Sequence, residues 1–483
     1  MRSQRLPVLL AGLAAAIVVV TLVASGGGGP SGPPPPALLH STGLPAHDPL
    51  AWSPSRSADD ARRATAGLSH VLYAKVPAGI VASAERTAHW RPLVERAAGA
   101  HGGDPNTLEA IVLLESAGNP EAQASNDLHG AVGLTQILAE TGRDLLGMHV
   151  DVTRSARLTR RILRAEARGQ HARAQALRRQ RTAVDERFDP RKALDAAARY
   201  LAIARQRLGA DDLAIVGYHM GIGNLMTALA RYGAGRVPYA RLFFDSTPGS
   251  HAAAWRLLSS LGDDSSTYLF REQAARAVMG QWRSDPGQLA AQAKLQTARA
   301  SAEEVLHPPD ATKAFSDPGA LKNAYASGDV VPLPAAYLTA HGVAIDHGMG
   351  SLAAKVGQKP ALYRGLRREA LATIAYIGAN VRAIAGTRAP LVVTSTVRDA
   401  KYQKALAATD LEAVRSYSLH TTGFTFDISR RYASGAQAHA FQFELDRLTA
   451  LNLIAWVREP AAIHVTVSSD AAMLERPMGV RPA

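Results

Sequence analysis

The sequence predicts a multidomain protein with an all-α block first and an α+β block towards the C-terminal end. Three observations carry this. Apolar residues recur at helical spacing from about Ala58 to about Gly280, with few strand-like runs. Strand-like patterns come later: a buried run at Pro390–Ser395 and alternation at Gly423–Ile428 and Ile463–Val467. Between the blocks, residues 281–344 mix short helical pieces with Pro308-Pro309, Pro318 and Pro332–Pro334, which reads as a packed connector without chemistry of its own. A chain of 483 residues has room for two or three such domains.

At the start, Arg2 and Arg5 precede an apolar run from Leu6 to Ala24, broken only by Pro7, Gly12 and Thr21. Residues 1–25 are therefore expected to be a signal peptide or a membrane anchor, and either implies export to the cell envelope, anchored or secreted. Residues 26–58 form a Gly/Pro-rich linker, extended through its Pro33–Pro36 run. With no cysteine, disulfides, thiolate nucleophiles and thiolate metal sites are excluded. A net charge of +13 suits nucleic acid or an anionic envelope polymer, and the export signal argues against nucleic acid. Arginines concentrate between Arg154 and Arg191, either as a solvated helical face or as a contact for acidic wall polymers.

In the first domain, expected over 59–280, Asp104–Ala117 reads as a helix with Asp104 as N-cap and Pro105 at the first helical position. Its apolar stripe runs Leu108, Ile111, Val112, and the next position of the stripe is Glu115. A carboxylate there needs a partner or a raised pKa, and a protonated Glu at a helix end is what a general acid requires. Ser116, Asn119 and Pro120 follow, then Gly130-Ala131-Val132-Gly133-Leu134-Thr135-Gln136-Ile137. Helices are expected at Arg191–Leu208 and Leu213–Leu229, the latter carrying Tyr218-His219-Met220-Gly221.

In this order, ES-x-x-NP, GA-x-GL-x-QI and Y-x-x-G resemble the lytic transglycosylases with a goose-lysozyme-like (SLT) fold, over about residues 85–240. The resemblance implies an all-α lysozyme-like domain that cleaves MurNAc–GlcNAc linkages of peptidoglycan glycan strands without a cofactor. It implies that Glu115 is the acid and then the base, with Tyr218 orienting it or the substrate. Gly133, Leu134 and Gln136 would line the sugar cleft, with Ser116 and Asn119 beside them as substrate-binding residues. Two carboxylates are usual for glycosidases, and a substrate that supplies its own nucleophile needs only one. His219 stands where the family has Asn, and Arg154–Arg187 reads as an insertion.

In the C-terminal block, expected over 345–470 with a tail at 471–483, Phe424, Phe426 and Ile428 share one strand face and Asp427 points to the other. Likewise Ile463, Val465 and Val467 share a face from which His464 points away, while His420 lies in the loop before the first strand. Two His and one Asp with a position left for water form a sensible catalytic zinc site. The segment Ser418-x-His420-x-x-Gly423-x-Thr425-x-Asp427 resembles the D-alanyl-D-alanine carboxypeptidase and VanX-like peptidases, with Ser395-x-x-Arg398 and Gln403 matching upstream. This implies a zinc-peptidase-like α+β domain acting on stem peptides, with Zn2+ on His420, Asp427 and His464. Arg398 would stabilise the developing oxyanion. Thr425 replaces the usual Ala. Ala461 stands at the usual position of the catalytic carboxylate, so Glu459 is the nearest replacement. His129, His219 and His439 fall in no metal pattern. Alternatives stay open: a C-terminal domain that only binds peptidoglycan, or a non-enzymatic wall-binding or assembly protein.

Overall fold

The computed structural model describes residues 48–298, 302–408 and 417–480; the expected leader and residues 26–47 of the linker lie outside them. The chain divides into two compact units, one holding residues 75–200 and the other residues 48–74 and 201–480. These do not coincide with the expected blocks 59–280 and 345–470.

In the first unit the helix Pro105–Ser116 starts as the sequence dictates, with the Asp104 carboxylate accepting from the Asn106 N–H. It stops because Ala117 (φ 51°) and Gly118 (φ 76°) turn left-handed and donate back to the carbonyls of Leu113 and Val112. Leu108, Ala110, Ile111, Val112 and Leu113 are buried, and each large side chain contributes about 1.5–3 kcal/mol. The Arg-rich stretch folds as an antiparallel pair of helices, Val152–Ala167 and His171–Thr182, closed on Leu158, Ile162, Ala165, Ala174, Leu177 and Val184. Arg154, Arg157, Arg160, Arg161 and Arg164 stay on its exposed face.

In the second unit the expected helix Leu213–Leu229 is broken into Asp211–Met220 and Ile222–Tyr232 by Gly221, whose φ of 84° a helix does not allow. Among the described residues the strands are β1 (Val331–Pro332), β2 (Val343–Ile345), β3 (Gly365–Leu366), β4 (Leu391–Ser395), β5 (Thr425–Ser429), β6 (Ile454–Arg458) and β7 (Ala462–Val467). β1 and β3 form a small pair, and the others form a sheet in the order β2-β4-β5-β7-β6, parallel only between β2 and β4. The helix expected over Leu362–Ala385 begins at Arg368, because residues 360–366 are used by a 3-10 turn and by β3. It packs with the helix Gly435–Ala450, an element the sequence reading did not identify, as it did not β6.

The described part of residues 281–344 is packed into the second unit. Val343 is buried in the sheet as part of edge strand β2, and Phe315, Leu321, Ala324 and Val330 share a core cluster with Tyr363, Val397 and Tyr402. His307 stacks on Phe424 with ring centroids 3.8 Å apart and bonds the Val467 carbonyl at 2.6 Å. The prolines cap and bound short elements there.

Candidate functional site

Glu115 lies in the last turn of Pro105–Ser116, half-buried where the stripe meets the surface. The fully buried carboxylate of that helix is Glu109, which Arg91 meets at 2.9 Å. Ser116 is buried, and its hydroxyl donates to the carbonyls of Leu134 (2.8 Å) and Val112 (3.1 Å), fastening the Glu115 turn to the Gly130–Ile137 loop. Leu134 is 0 % exposed, so its side chain belongs to the core and it shapes the loop from beneath. Asn119 is exposed, and its Oδ1 accepts from the Glu121 N–H.

The loop is strained and heavily tied. Gln136 is left-handed (φ 49°), and its Nε2 donates to the carbonyls of Gly133 (2.8 Å) and Ala122 (3.2 Å). Gly133 has φ 80°, and a Cβ there would run into the Arg187 carbonyl. Arg187 was missed in the sequence, where it is one arginine among many. It is fully buried, pairs with Asp185 at 2.9 Å, and donates to the carbonyls of Leu128 (2.8 Å), Gly130 (3.0 Å) and Ile137 (3.2 Å). Arg178 and Arg181 reach Glu121 at 3.0 and 2.5 Å, so the Arg-rich hairpin buttresses the segment between the two motifs.

Tyr218 belongs to the second unit, half-buried near the end of Asp211–Met220. Its neighbour His219 stacks on Tyr268 (4.7 Å) and meets the Ser265 hydroxyl at 3.0 Å, so the residue in the family's Asn position serves packing.

The second cluster lies on the sheet. Asp427 on β5 faces His464 on β7 in register, and its Oδ1 is 2.8 Å from His464 Nδ1. Its Oδ2 is 3.2 Å from Nε2 of His420, which sits in the 3-10 turn Leu419–Thr422. One ligand-type atom from each residue lies within 4.8 Å of the others. Nδ1 of His420 bonds the Thr396 carbonyl at 2.7 Å, which fixes that ring with Nε2 facing the cluster. Arg398 completes the group: its guanidinium reaches Gln403 Oε1 (2.9 Å), Ser395 Oγ (2.7 Å) and Asp427 Oδ2 (3.4 Å). The upstream motif and the ligand-type motif thus converge. Glu459 lies in the β6–β7 turn, partly buried, with its N–H bonded to the Ala462 carbonyl.

Burial pushes the His420 imidazole down to about 4, with Arg398 acting in the same direction. Burial would raise the Asp427 carboxyl, but His420 and His464 outweigh it and hold the group well below the usual range. His464 is buried too, yet its bonds to Asp427 and Glu303 lift it to about 10. A neutral imidazole, an ionised carboxylate and an imidazole bonded to carboxylates at both nitrogens form a set prepared to exchange a proton for a cation. Two nitrogens and one oxygen suit zinc, so the residues present fit such an ion.

Residues 92–158 and 168–236 match the sequence model of the transglycosylase SLT domain. The break at 159–167 falls within the first helix of the Arg-rich pair. The endo-type membrane-bound lytic murein transglycosylases A of Salmonella paratyphi B (strain ATCC BAA-1250 / SPB7) and Salmonella enteritidis PT4 (strain P125109) are each 38% identical to this chain over 74 residues. That stretch is 15% of this chain and 35% of each relative, so the chain spans about a third of the length of the curated relatives it matches. The similarity to the transglycosylase SLT domain thus falls within the helical part of the chain.

Proposed function

We propose that this protein is a lytic transglycosylase of peptidoglycan, with Glu115 as its acid and base. The observation that carries the reading is the SLT match across 92–158 and 168–236, with Glu115 half-buried on a turn that Ser116 fastens to the Gly133–Gln136 loop. Glu115 would protonate the glycosidic oxygen as it leaves the MurNAc anomeric carbon. The C6 hydroxyl of the same sugar attacks that carbon, the ionised Glu115 takes the hydroxyl proton, and a 1,6-anhydro end results. No second carboxylate is needed because the substrate supplies the nucleophile. The names of the curated relatives support an envelope location, and the Leu6–Ala24 run supports export.

The α+β unit would hold a zinc ion on His420, Asp427 and His464 and act on stem peptides of the same polymer. The bound ion would supply Lewis acidity to a peptide carbonyl and to a water molecule. Arg398, steadied by Ser395 and Gln403, would bind the carbonyl oxygen, and Glu459 would handle the proton. Two activities on one polymer gain from being joined, since each raises the effective concentration of the other.

The test is digestion of purified peptidoglycan by wild type and by Glu115→Gln, with and without a zinc chelator, read by mass spectrometry. Anhydro-MurNAc ends should survive chelator and vanish in Glu115→Gln, while shortened stem peptides should vanish with chelator. Anhydro ends from a folded Glu115→Gln protein would overturn the Glu115 assignment, and unshortened stem peptides would leave the α+β unit a binding domain.

A further inference from the structure

Glu303 was given no role by the sequence, yet its carboxylate reaches the His420–Asp427–His464 cluster from the segment read as a packed connector. It is 1 % exposed, at the start of the helix Glu303–Leu306, with Oε1 3.0 Å from His464 Nε2. The two nitrogens of an imidazole point to different edges of the ring. Since Nδ1 faces Asp427 at 2.8 Å, Glu303 occupies the edge turned away from the cluster. From there a carboxylate does not compete for the ion; it sets the ring.

We infer that Glu303 is a positioning residue for metal binding: by accepting the Nε2 proton of His464 it fixes the tautomer that offers Nδ1 to the cation and raises the basicity of that nitrogen. The inference rests on the zinc reading above. Carboxylates behind ligand histidines have this effect in metal sites generally, and removing one costs about 10- to 100-fold in affinity. The position of Glu303 is itself secured. The Thr466 hydroxyl donates to its Oε1 at 2.7 Å, and Thr466 meets the Thr425 hydroxyl at 3.0 Å. Thr425 and Thr466 are paired across β5 and β7, two residues along from the Asp427–His464 pair on the same face. The Thr at 425, where the resembling peptidases carry Ala, thereby acquires a function: it closes the chain Thr425–Thr466–Glu303–His464–Asp427. All five side chains are buried or nearly so, where hydrogen bonds hold orientation best.

The experiment titrates the metal-free full chain with Zn2+ against a competing chelator, and with Co2+ by its visible absorption. Wild type is compared with Glu303→Ala, Glu303→Gln, Thr466→Val and His420→Ala. Expected are measurable affinity in wild type, loss in His420→Ala and a drop of about 10- to 100-fold in Glu303→Ala with an altered Co2+ spectrum. Glu303→Gln, which keeps an acceptor but not the charge, should lose less, and Thr466→Val should lose a few-fold. Wild-type affinity and spectrum in Glu303→Ala, beside loss in His420→Ala, would overturn the role of Glu303 alone. A wild type that binds neither ion would overturn the zinc reading itself. Should Glu303→Ala fail to fold, Glu303→Gln decides: an affinity and spectrum equal to wild type would overturn the inference.

Discussion

The carbonyl of Arg187 fills the space a side chain on Gly133 would need, while the guanidinium of the same arginine holds the carbonyls on either side of that glycine. Gly133 is thus required twice, by its φ of 80° and by close backbone approach. Gly133→Ala is expected to destabilise the protein by at least about 2 kcal/mol and to abolish anhydro-MurNAc formation. Urea unfolding and product analysis check this; an alanine variant as stable and active as wild type would remove the loop from the account.

Arg187→Met leaves the Asp185 carboxylate buried without its cation, a loss of about 3–5 kcal/mol, and frees three loop carbonyls. Asp185→Asn should cost less, because Arg187 keeps the carbonyls and the Ser155 hydroxyl keeps a partner oxygen. Denaturant midpoints should rank wild type, Asp185→Asn, Arg187→Met. Added salt should change little for a pair shielded from water.

Local chemistry was what the sequence displayed well. The Asp104 cap, the Leu108–Val112 stripe and the strands holding Asp427 and His464 were visible because each follows from neighbouring residues. The register that sets Asp427 opposite His464 was not written locally, although opposed face assignments made their meeting possible. Burial was harder: Glu109, off the stripe, is the enclosed carboxylate, and Arg91 compensates it. Arg187 and Glu303 gave no signal at all. A buried charge is recognised by partners distant in sequence, and neither lies in a periodic or motif position.

A fragment starting at residue 345 should fail to fold. It would lack Val343 and Ala344 of edge strand β2, which pairs with β4, and the Phe315, Leu321, Ala324 and Val330 side of a core cluster. It would also lack the His307–Val467 bond. Near-UV circular dichroism and limited proteolysis should find no fixed tertiary packing in it. A cooperative, protease-resistant fragment would show that residues 281–344 are dispensable for the sheet.

Arg447 and Glu444, one turn apart on the helix Gly435–Ala450, make the stability of their unit depend on pH. Arg447 is committed to Asp48 at 2.5 Å, to the Tyr376 hydroxyl at 2.9 Å and to the Leu50 carbonyl at 3.0 Å. The Nη1 that donates to Tyr376 stands 3.9 Å from Glu444, too far for a hydrogen bond. Burial therefore pushes the Glu444 carboxyl up to about 8, against the opposing pull of Arg447 and Asn380. An unfolded chain loses that proton near 4.5, so between about 4.5 and 8 the folded state binds the extra proton. The stabilisation is full below that window and is lost as pH rises through it, by at most about 1.4 kcal/mol per pH unit. Glu444→Gln should flatten the slope. Unfolding midpoints at pH 6.5, 7.5 and 8.5 decide the matter: equal slopes in wild type and Glu444→Gln would mean that Glu444 is already ionised in the folded protein.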